Sequence, residues 1–146
     1  RVPRKLKVRQ MLRARAGMPR EPAAEAAIPV IYDRGTPRAR IDEDTAVRRP
    51  WFARPEAYTA QLQGILAWES FSRLSQIARP TLVIHGETDR LIPVGNGKLI
   101  AASIPGAKLV LLPHASHIYQ TDQPEASMRP IQEFLASTGD KPRPLA

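Results

Sequence analysis

Two short apolar runs, separated by a stretch long enough for a helix, constrain the fold of this chain more than any other feature. The first run covers residues 81–84 (Thr-Leu-Val-Ile) and the second covers residues 108–112 (Lys-Leu-Val-Leu-Leu). Runs that are apolar on both faces are typical of strands in a parallel sheet covered by helices. Residues 97–104 predict a helix between them. The order strand, helix, strand predicts a βαβ unit with a right-handed crossover, and therefore an α/β fold.

Polar side chains that could carry chemistry follow both predicted strands. His85, Glu87 and Asp89 come after the first strand, and His114 and His117 come after the second. In an open parallel sheet, functional groups lie on loops beyond the carboxyl ends of the strands, and neighbouring strands are ~4.8 Å apart. We therefore expect the Asp89 carboxylate to reach the His117 ring, where it would fix the tautomer of a histidine base.

Each of these residues also has a structural interpretation. Asp89 could cap a turn, and His117 could be a surface histidine of a loop. We expect His85 to be structural, because it ends a strand, and we expect Glu87 to point away along the turn. The H-x-x-H spacing of His114 and His117 suggests a metal, but no third ligand at helical spacing accompanies it. We therefore predict neither a metal nor an organic cofactor.

Helices are predicted before and after this unit. Thr36 and Pro37 have the order of an N-cap and a first helical turn, which suits a helix that ends near Arg48. A second helix is predicted from Pro55, with one buried apolar face (Tyr58, Leu62, Ile65, Leu66). A last helix is predicted from Pro124, with apolar residues on one side (Met128, Ile131, Phe134, Leu135). We expect Pro130 to kink or restart that helix.

The net charge of +8 is confined to one end of the chain. Residues 1–20 contain eight basic residues and no acidic ones, whereas the rest carries fourteen of each (22 − 8 = 14 bases against 14 acids). This basic arm, predicted to be helical around residues 6–16, could bind phosphate. No aromatic residues lie between its charges, so we predict a solvated end without a specific nucleic-acid partner.

Two absences narrow the class of protein. The sequence contains no cysteine, which excludes disulfides and thiolate zinc sites and suits a reducing compartment, so we expect a cytoplasmic location. No run approaches the ~18 apolar residues of a membrane span.

Residues 80–93 (PTLVIHGETDRLIP) resemble the segment of α/β-hydrolases that ends in the acid of the catalytic triad. Residues 104–125 are similar to the segment that bears the triad histidine and the start of the last helix, although Ser116 stands where the family often has glycine. The resemblance implies that Asp89 is the acid and His117 the base. It also implies three regions, namely the basic arm (1–20), a helical cap segment (21–78) and the C-terminal part of the core (79–146). Aromatic residues of the cap could line an acyl pocket or form the cap core (Trp51, Phe52, Trp68).

The nucleophile of such a triad is missing from this sequence. In the family it precedes the acid within the motif G-x-S-x-G, and none of the seven serines has glycine two positions before it. We therefore expect the chain to be the C-terminal half of the fold, inactive alone, with the N-terminal half as its partner. The complete enzyme is expected to be a serine-type hydrolase of a small ester, lactone or similar acyl substrate. C–C bond hydrolysis, cofactor-free haloperoxidation and dehalogenation through an aspartate nucleophile are left open. The alternative is a non-catalytic fragment or an interaction module that uses the basic arm.

Overall fold

The computed structural model describes residues 12, 14, 15 and 17–139, and the basic arm therefore lies largely outside the described residues. Two strands and six α-helices follow one another along the described chain. They are α1 (Arg20–Ile31), α2 (Arg38–Arg48), α3 (Pro55–Ala67), β1 (Leu82–Gly86), α4 (Val94–Ser103), β2 (Lys108–Leu112), α5 (Tyr119–Asp122) and α6 (Pro124–Thr138). Short 3₁₀ helices lie between α2 and α3 (Arg49–Trp51) and between α3 and β1 (Phe71–Gln76).

The two strands form a parallel pair, as the sequence predicts. Leu82 pairs with Lys108 at one end and Gly86 pairs with Leu112 at the other, without a register break. Helices α4 and α6 both pack against the two strands. Because the strands are parallel, the loops after Gly86 and Leu112 leave the same edge of the sheet. The chain therefore has an α/β architecture whose candidate residues share one edge.

A cluster of buried apolar residues connects the first helices to that edge of the sheet. Four residues of α1 and α2 and of the loop between them form a buried apolar cluster (Ala27, Ile31, Tyr32, Ile41). Leu91 and Ile118, which come from the loops after β1 and β2, pack against this cluster. The helical segment is therefore in contact with both loops that carry the candidate residues.

Three local predictions were wrong in whole or in part. Thr36 does not cap α2, because its hydroxyl donates a hydrogen bond to the Asp122 carboxylate. The expected buried face of α3 is only half covered, because Tyr58 and Leu62 are half-buried whereas Ile65 is 71% and Leu66 69% exposed. Helix α6 continues through Pro130 as one helix, so it does not restart there, and the expected kink stays a prediction. Among the described residues, no helix is long and apolar enough to cross a membrane.

Candidate active site

The turn after β1 buries a carboxylate and satisfies one of its oxygens with backbone donors. Asp89 is 6% exposed, and its N–H donates to the carbonyl of Gly86 at 3.2 Å. One carboxylate oxygen, Oδ1, accepts hydrogen bonds from the N–H groups of Leu91 and Ile92, both at 2.8 Å. Because a buried carboxylate must be hydrogen-bonded, these contacts fix its orientation and leave Oδ2 for another donor.

The loop after β2 presents His117 to that second oxygen. Nδ1 of His117 lies 3.0 Å from Oδ2 of Asp89. The Asp89 side chain is 4% exposed, whereas the His117 side chain is 37% exposed. When Nδ1 carries the ring proton, it donates to the carboxylate and leaves the lone pair on Nε2. A carboxylate at Nδ1 is the arrangement that holds a histidine as a general base at Nε2.

Close approach of the two loops requires a glycine at the end of β1. A Cβ atom at Gly86 would lie 2.3 Å from the Ser116 carbonyl oxygen and 2.4 Å from that of Ala115. The N–H of Thr88 donates to the Ala115 carbonyl at 2.9 Å, and the N–H of Glu87 donates to that of Leu112 at 3.0 Å. Gly86 therefore lets the loop after β1, which carries Asp89 (the acid loop), pack directly on the backbone of the loop after β2, which carries His117 (the histidine loop).

The other two histidines have structural surroundings. Nε2 of His85 lies 2.9 Å from the carbonyl oxygen of Ile92 and 3.6 Å from Oδ2 of Asp89. The His85 ring fills the space beside Gly97, where a Cβ would lie 2.7 Å from its Nδ1. His114 is exposed, with a positive φ of 54°. Within the described part of the chain, no group of three His, Cys, Asp or Glu residues could hold a metal.

A second buried carboxylate, that of Asp122, was not predicted from the sequence. Asp122 is 4% exposed, and its oxygens accept hydrogen bonds from the N–H of Ser116 and the hydroxyl of Thr36, both at 2.6 Å. The N–H of Asp33 lies 3.1 Å and 3.2 Å from the two oxygens. The only sequence signal was an aspartate two residues before Pro124, near a helix start, which by itself indicates no more than a cap.

Asp33 was missed for the same reason, since it looks like an ordinary turn residue. Its Oδ2 accepts a hydrogen bond from the Thr88 hydroxyl at 2.6 Å, and its Oδ1 accepts one from the N–H of Gly35 at 2.8 Å. Burial of the carboxyl raises the pKa of Asp33, but the hydrogen bonds from Thr88, Gly35 and Arg34 outweigh it and lower the pKa below its ordinary value. Asp33 is therefore held as a carboxylate.

Of the three aromatic residues considered for an acyl pocket, one lines a cavity among the helices. Phe52 borders a pocket between α1, α2 and the start of α3, together with Tyr58 and Arg48. Trp51 is 84% exposed and Trp68 is 70% exposed, so neither forms a cap core among the described residues.

Comparisons with known proteins give the chain a family. Residues 33–124 match the model of a family described as alpha/beta hydrolase fold. A 2-hydroxy-6-oxo-6-phenylhexa-2,4-dienoate hydrolase of Burkholderia cepacia is 32% identical over 90 residues, which are 62% of this chain and 32% of that protein. A poly(3-hydroxyalkanoate) depolymerase of Ectopseudomonas oleovorans is 36% identical over 93 residues, 61% of this chain and 32% of that protein.

A solved structure extends the similarity over most of the chain. A thermophilic esterase from Thermogutta terrifontis superposes with a TM-score of 0.72 at 24% identity, covering 94% of this chain and 51% of that one. The chain thus spans about a third of the length of the curated relatives and about half of this structure. The family match covers the turn of Asp89 and the loop of His117, and the chain belongs to the α/β-hydrolase fold family.

Proposed function

We propose that this chain supplies the acid and the base of a catalytic triad for hydrolysis of a small ester, lactone or related acyl substrate. The observation that carries the proposal is the contact of 3.0 Å between Nδ1 of His117 and Oδ2 of Asp89. In this role Nε2 of His117 takes the proton of an attacking serine hydroxyl and later returns it to the leaving group. Asp89 holds the ring in the correct tautomer and stabilises the imidazolium ion that forms.

The serine in this proposal comes from outside the sequence. Its source would be the N-terminal half of the same fold, which carries the nucleophile in this family. The described structure supports this division, because the 37% exposed His117 ring faces solvent at the sheet edge rather than a serine of this chain. We further propose that α1–α3 form a cap over the completed site.

The hydrolase names of the relatives support acyl chemistry. A pocket at the junction of cap and core is a usual place for an apolar substrate. In this chain the pocket beside Phe52 is lined by apolar and aromatic side chains and by three arginines (Arg15, Arg20, Arg48), and all of its lining residues lie within residues 15–58. It therefore does not identify the substrate, and small acyl compounds are tried first because of the names of the relatives.

The first experiment identifies the missing half. The DNA on the 5′ side of the codon for Arg1 is translated in frame and searched for G-x-S-x-G. The protein from the whole reading frame that contains residues 1–146 is then assayed with p-nitrophenyl acetate and butyrate. Residues 1–146 alone serve as the control and should not exceed the background rate, because they contain no serine in that motif.

Substitution of the histidines then tests the assignment. Loss of the base in His117→Ala should lower kcat by about 10⁴ to 10⁶, as removal of a triad member does. The matched control is His114→Gln, three residues away in the same loop, which should retain most of the activity. The proposal is wrong if His114→Gln abolishes turnover while His117→Ala retains it, or if neither variant differs from the parent enzyme.

A further inference from the structure

We propose that residues 29–36, the junction between α1 and α2, keep the acid and the base at hydrogen-bonding distance from each other. In this proposal Asp122 and Asp33 are positioning residues for His117 and Asp89. This inference rests on the proposed function, because it concerns the same pair of side chains. It gives the helical segment a role in the geometry of catalysis, beyond that of covering the site.

The junction contacts the acid loop on both sides of Asp89. The Thr88 hydroxyl donates a hydrogen bond to Oδ2 of Asp33 at 2.6 Å. On the other side, a guanidinium nitrogen of Arg90 donates to the carbonyl oxygen of Pro29 at 2.5 Å. The residues before and after the acid are therefore both tied to the junction.

The same junction contacts the histidine loop on both sides of His117. The N–H of Ile118 donates to the carbonyl of Ile31 at 2.9 Å, and the Ser116 hydroxyl donates to that of Val30 at 3.3 Å. Both residues are next to His117 in the chain. Displacement of the junction would therefore move the backbone on which the histidine ring is carried.

Of these contacts, those of the Asp122 carboxylate would be the most costly to lose. Its carboxylate joins the N–H of Ser116 on one side to the Thr36 hydroxyl and the Asp33 N–H on the other. All of these partners are hydrogen-bond donors, and Asp122 and Ser116 are both buried. Removal of the carboxylate would leave buried donors without a partner, which costs far more than the bonds contribute on balance. The loop would then relax to satisfy the Ser116 N–H elsewhere.

A small displacement of this loop is enough to matter for catalysis. Misplacement of a catalytic group by about 1 Å can lower the rate by about 10²-fold. The bond of 3.0 Å between His117 and Asp89 also depends on the loop position, since the acid is fixed separately by Leu91 and Ile92. Loss of Asp122 should therefore appear both in kcat and in the tautomer of the His117 ring.

The experiment compares four variants of the protein from the whole reading frame. Asp122→Ala removes the acceptor, and Asp33→Ala removes the bond to Thr88 while keeping the backbone N–H. Asp122→Asn is the conservative variant, because its oxygen can accept from Ser116 while its NH₂ donates to the Thr36 hydroxyl, which can also act as an acceptor. Asp42→Ala is the matched control, since Asp42 is an exposed acid of α2 that pairs with Arg38.

Two readouts separate this inference from the proposed function. Nitrogen-15 NMR of labelled histidine reports the tautomer of His117 without any reaction, and three histidines are few enough to assign by substitution. Steady-state kinetics on an activated ester report kcat and KM. Parent protein and Asp42→Ala should show the proton on Nδ1, and Asp122→Asn should remain close to them. Asp122→Ala and Asp33→Ala should shift the ring toward the Nε2–H tautomer and lower kcat by about 10²-fold at nearly constant KM.

The outcomes are distinct. If the parent protein holds the Nδ1–H tautomer and the alanine variants lose it while circular dichroism shows them folded, the positioning role is supported, even in a protein that hydrolyses no ester. If Asp122→Ala does not fold, Asp33→Ala carries the decision. Folded Asp122→Ala or Asp33→Ala with the parent's His117 tautomer and kcat would overturn the inference, as would an equal effect of Asp42→Ala.

Discussion

Asp89 illustrates how much of this site is decided by individual hydrogen bonds. One oxygen of its carboxylate is held by two backbone N–H groups, and the other meets His117 at 3.0 Å. His85 approaches the same oxygen, at 3.6 Å, but bonds the Ile92 carbonyl instead. Two histidines thus lie near one acid, and of the two only His117 makes a hydrogen bond to it.

The first prediction concerns Asp89 and His117 as a unit. Asp89→Asn keeps the size of the side chain but loses the charge that holds the tautomer, so kcat of the complete enzyme should fall by about 10⁴. Because the two residues act together, the double variant with His117→Ala should be scarcely slower than His117→Ala alone. Steady-state kinetics on one activated ester measures this. Fully additive losses would show that the two side chains act independently.

The second prediction concerns Tyr32, a buried residue of the α1–α2 junction. Burial and the hydrogen bond of its hydroxyl to the Asp44 carboxylate raise the pKa of Tyr32 to about 12. Because the folded pKa lies above the usual value of 10.0, the neutral phenol stabilises the folded state below pH 10, and this contribution is lost as the pH rises toward 12. Tyrosinate absorbance should therefore show a late component that disappears in Tyr32→Phe. Persistence of that component in the variant would assign it to another tyrosine.

At the scale of elements, the site depends on two loops that leave the same edge of a parallel pair. The carboxyl ends of β1 and β2 are paired, Gly86 with Leu112. Because a parallel arrangement puts both following loops at one edge, residues 28 positions apart in the chain can make a hydrogen bond. The loops approach so closely that the last residue of β1 has no room for a side chain.

The third prediction tests that close approach. In Gly86→Ala the new Cβ would meet the backbone oxygens of Ser116 and Ala115 at 2.3 Å and 2.4 Å, so the histidine loop must shift. Overpacking of this kind costs about 1–3 kcal/mol of unfolding free energy, measurable by urea denaturation. Gly95→Ala is the control, because a Cβ there meets nothing within 4 Å and α4 should be unaffected or slightly stabilised. Equal stability of the two variants would contradict the packing argument.

At the scale of the whole molecule, the described residues expose several large apolar side chains. Six of them, all in the helical segment, are mostly exposed (Val47 69%, Trp51 84%, Ile65 71%, Leu66 69%, Trp68 70%, Phe71 53%). Among the described residues, β1 is hydrogen-bonded to one strand, β2, which leaves its other edge open. Open strand edges and large apolar patches promote association.

The fourth prediction follows from this surface. Residues 1–146 produced alone should associate in a concentration-dependent manner, as measured by sedimentation, and should bind a hydrophobic dye. Ile65→Lys and Leu66→Lys together should reduce the association, because they replace two of these exposed apolar side chains with charged ones. Asp42→Lys, at an already polar exposed position of α2, is the control and should not. A monodisperse monomer with cooperative unfolding would contradict the prediction.

The sequence by itself determined the secondary-structure elements that depend on residues close together in the chain. Short apolar runs ended by Gly86 and Pro113 were enough to predict both strands. The family resemblance was enough to select Asp89 and His117 as acid and base. The α/β fold and the family are confirmed. The roles of Asp89 and His117 stay predictions, although their side chains do meet.

Only the tertiary structure decided which polar residues hold those loops in place. Asp33, Thr36 and Asp122 are common turn and cap residues, and nothing in their neighbours distinguishes them from solvated ones. Their partners lie far away in the chain, Asp33 with Thr88 and Thr36 with Asp122. A hydrogen bond between residues far apart in the chain depends on which loops lie at the same edge of the sheet. The local sequence does not specify that packing. The prediction of a buried face on α3 failed in part for the same reason. Ile65 and Leu66 are exposed because burial requires a partner surface that helical spacing alone does not specify.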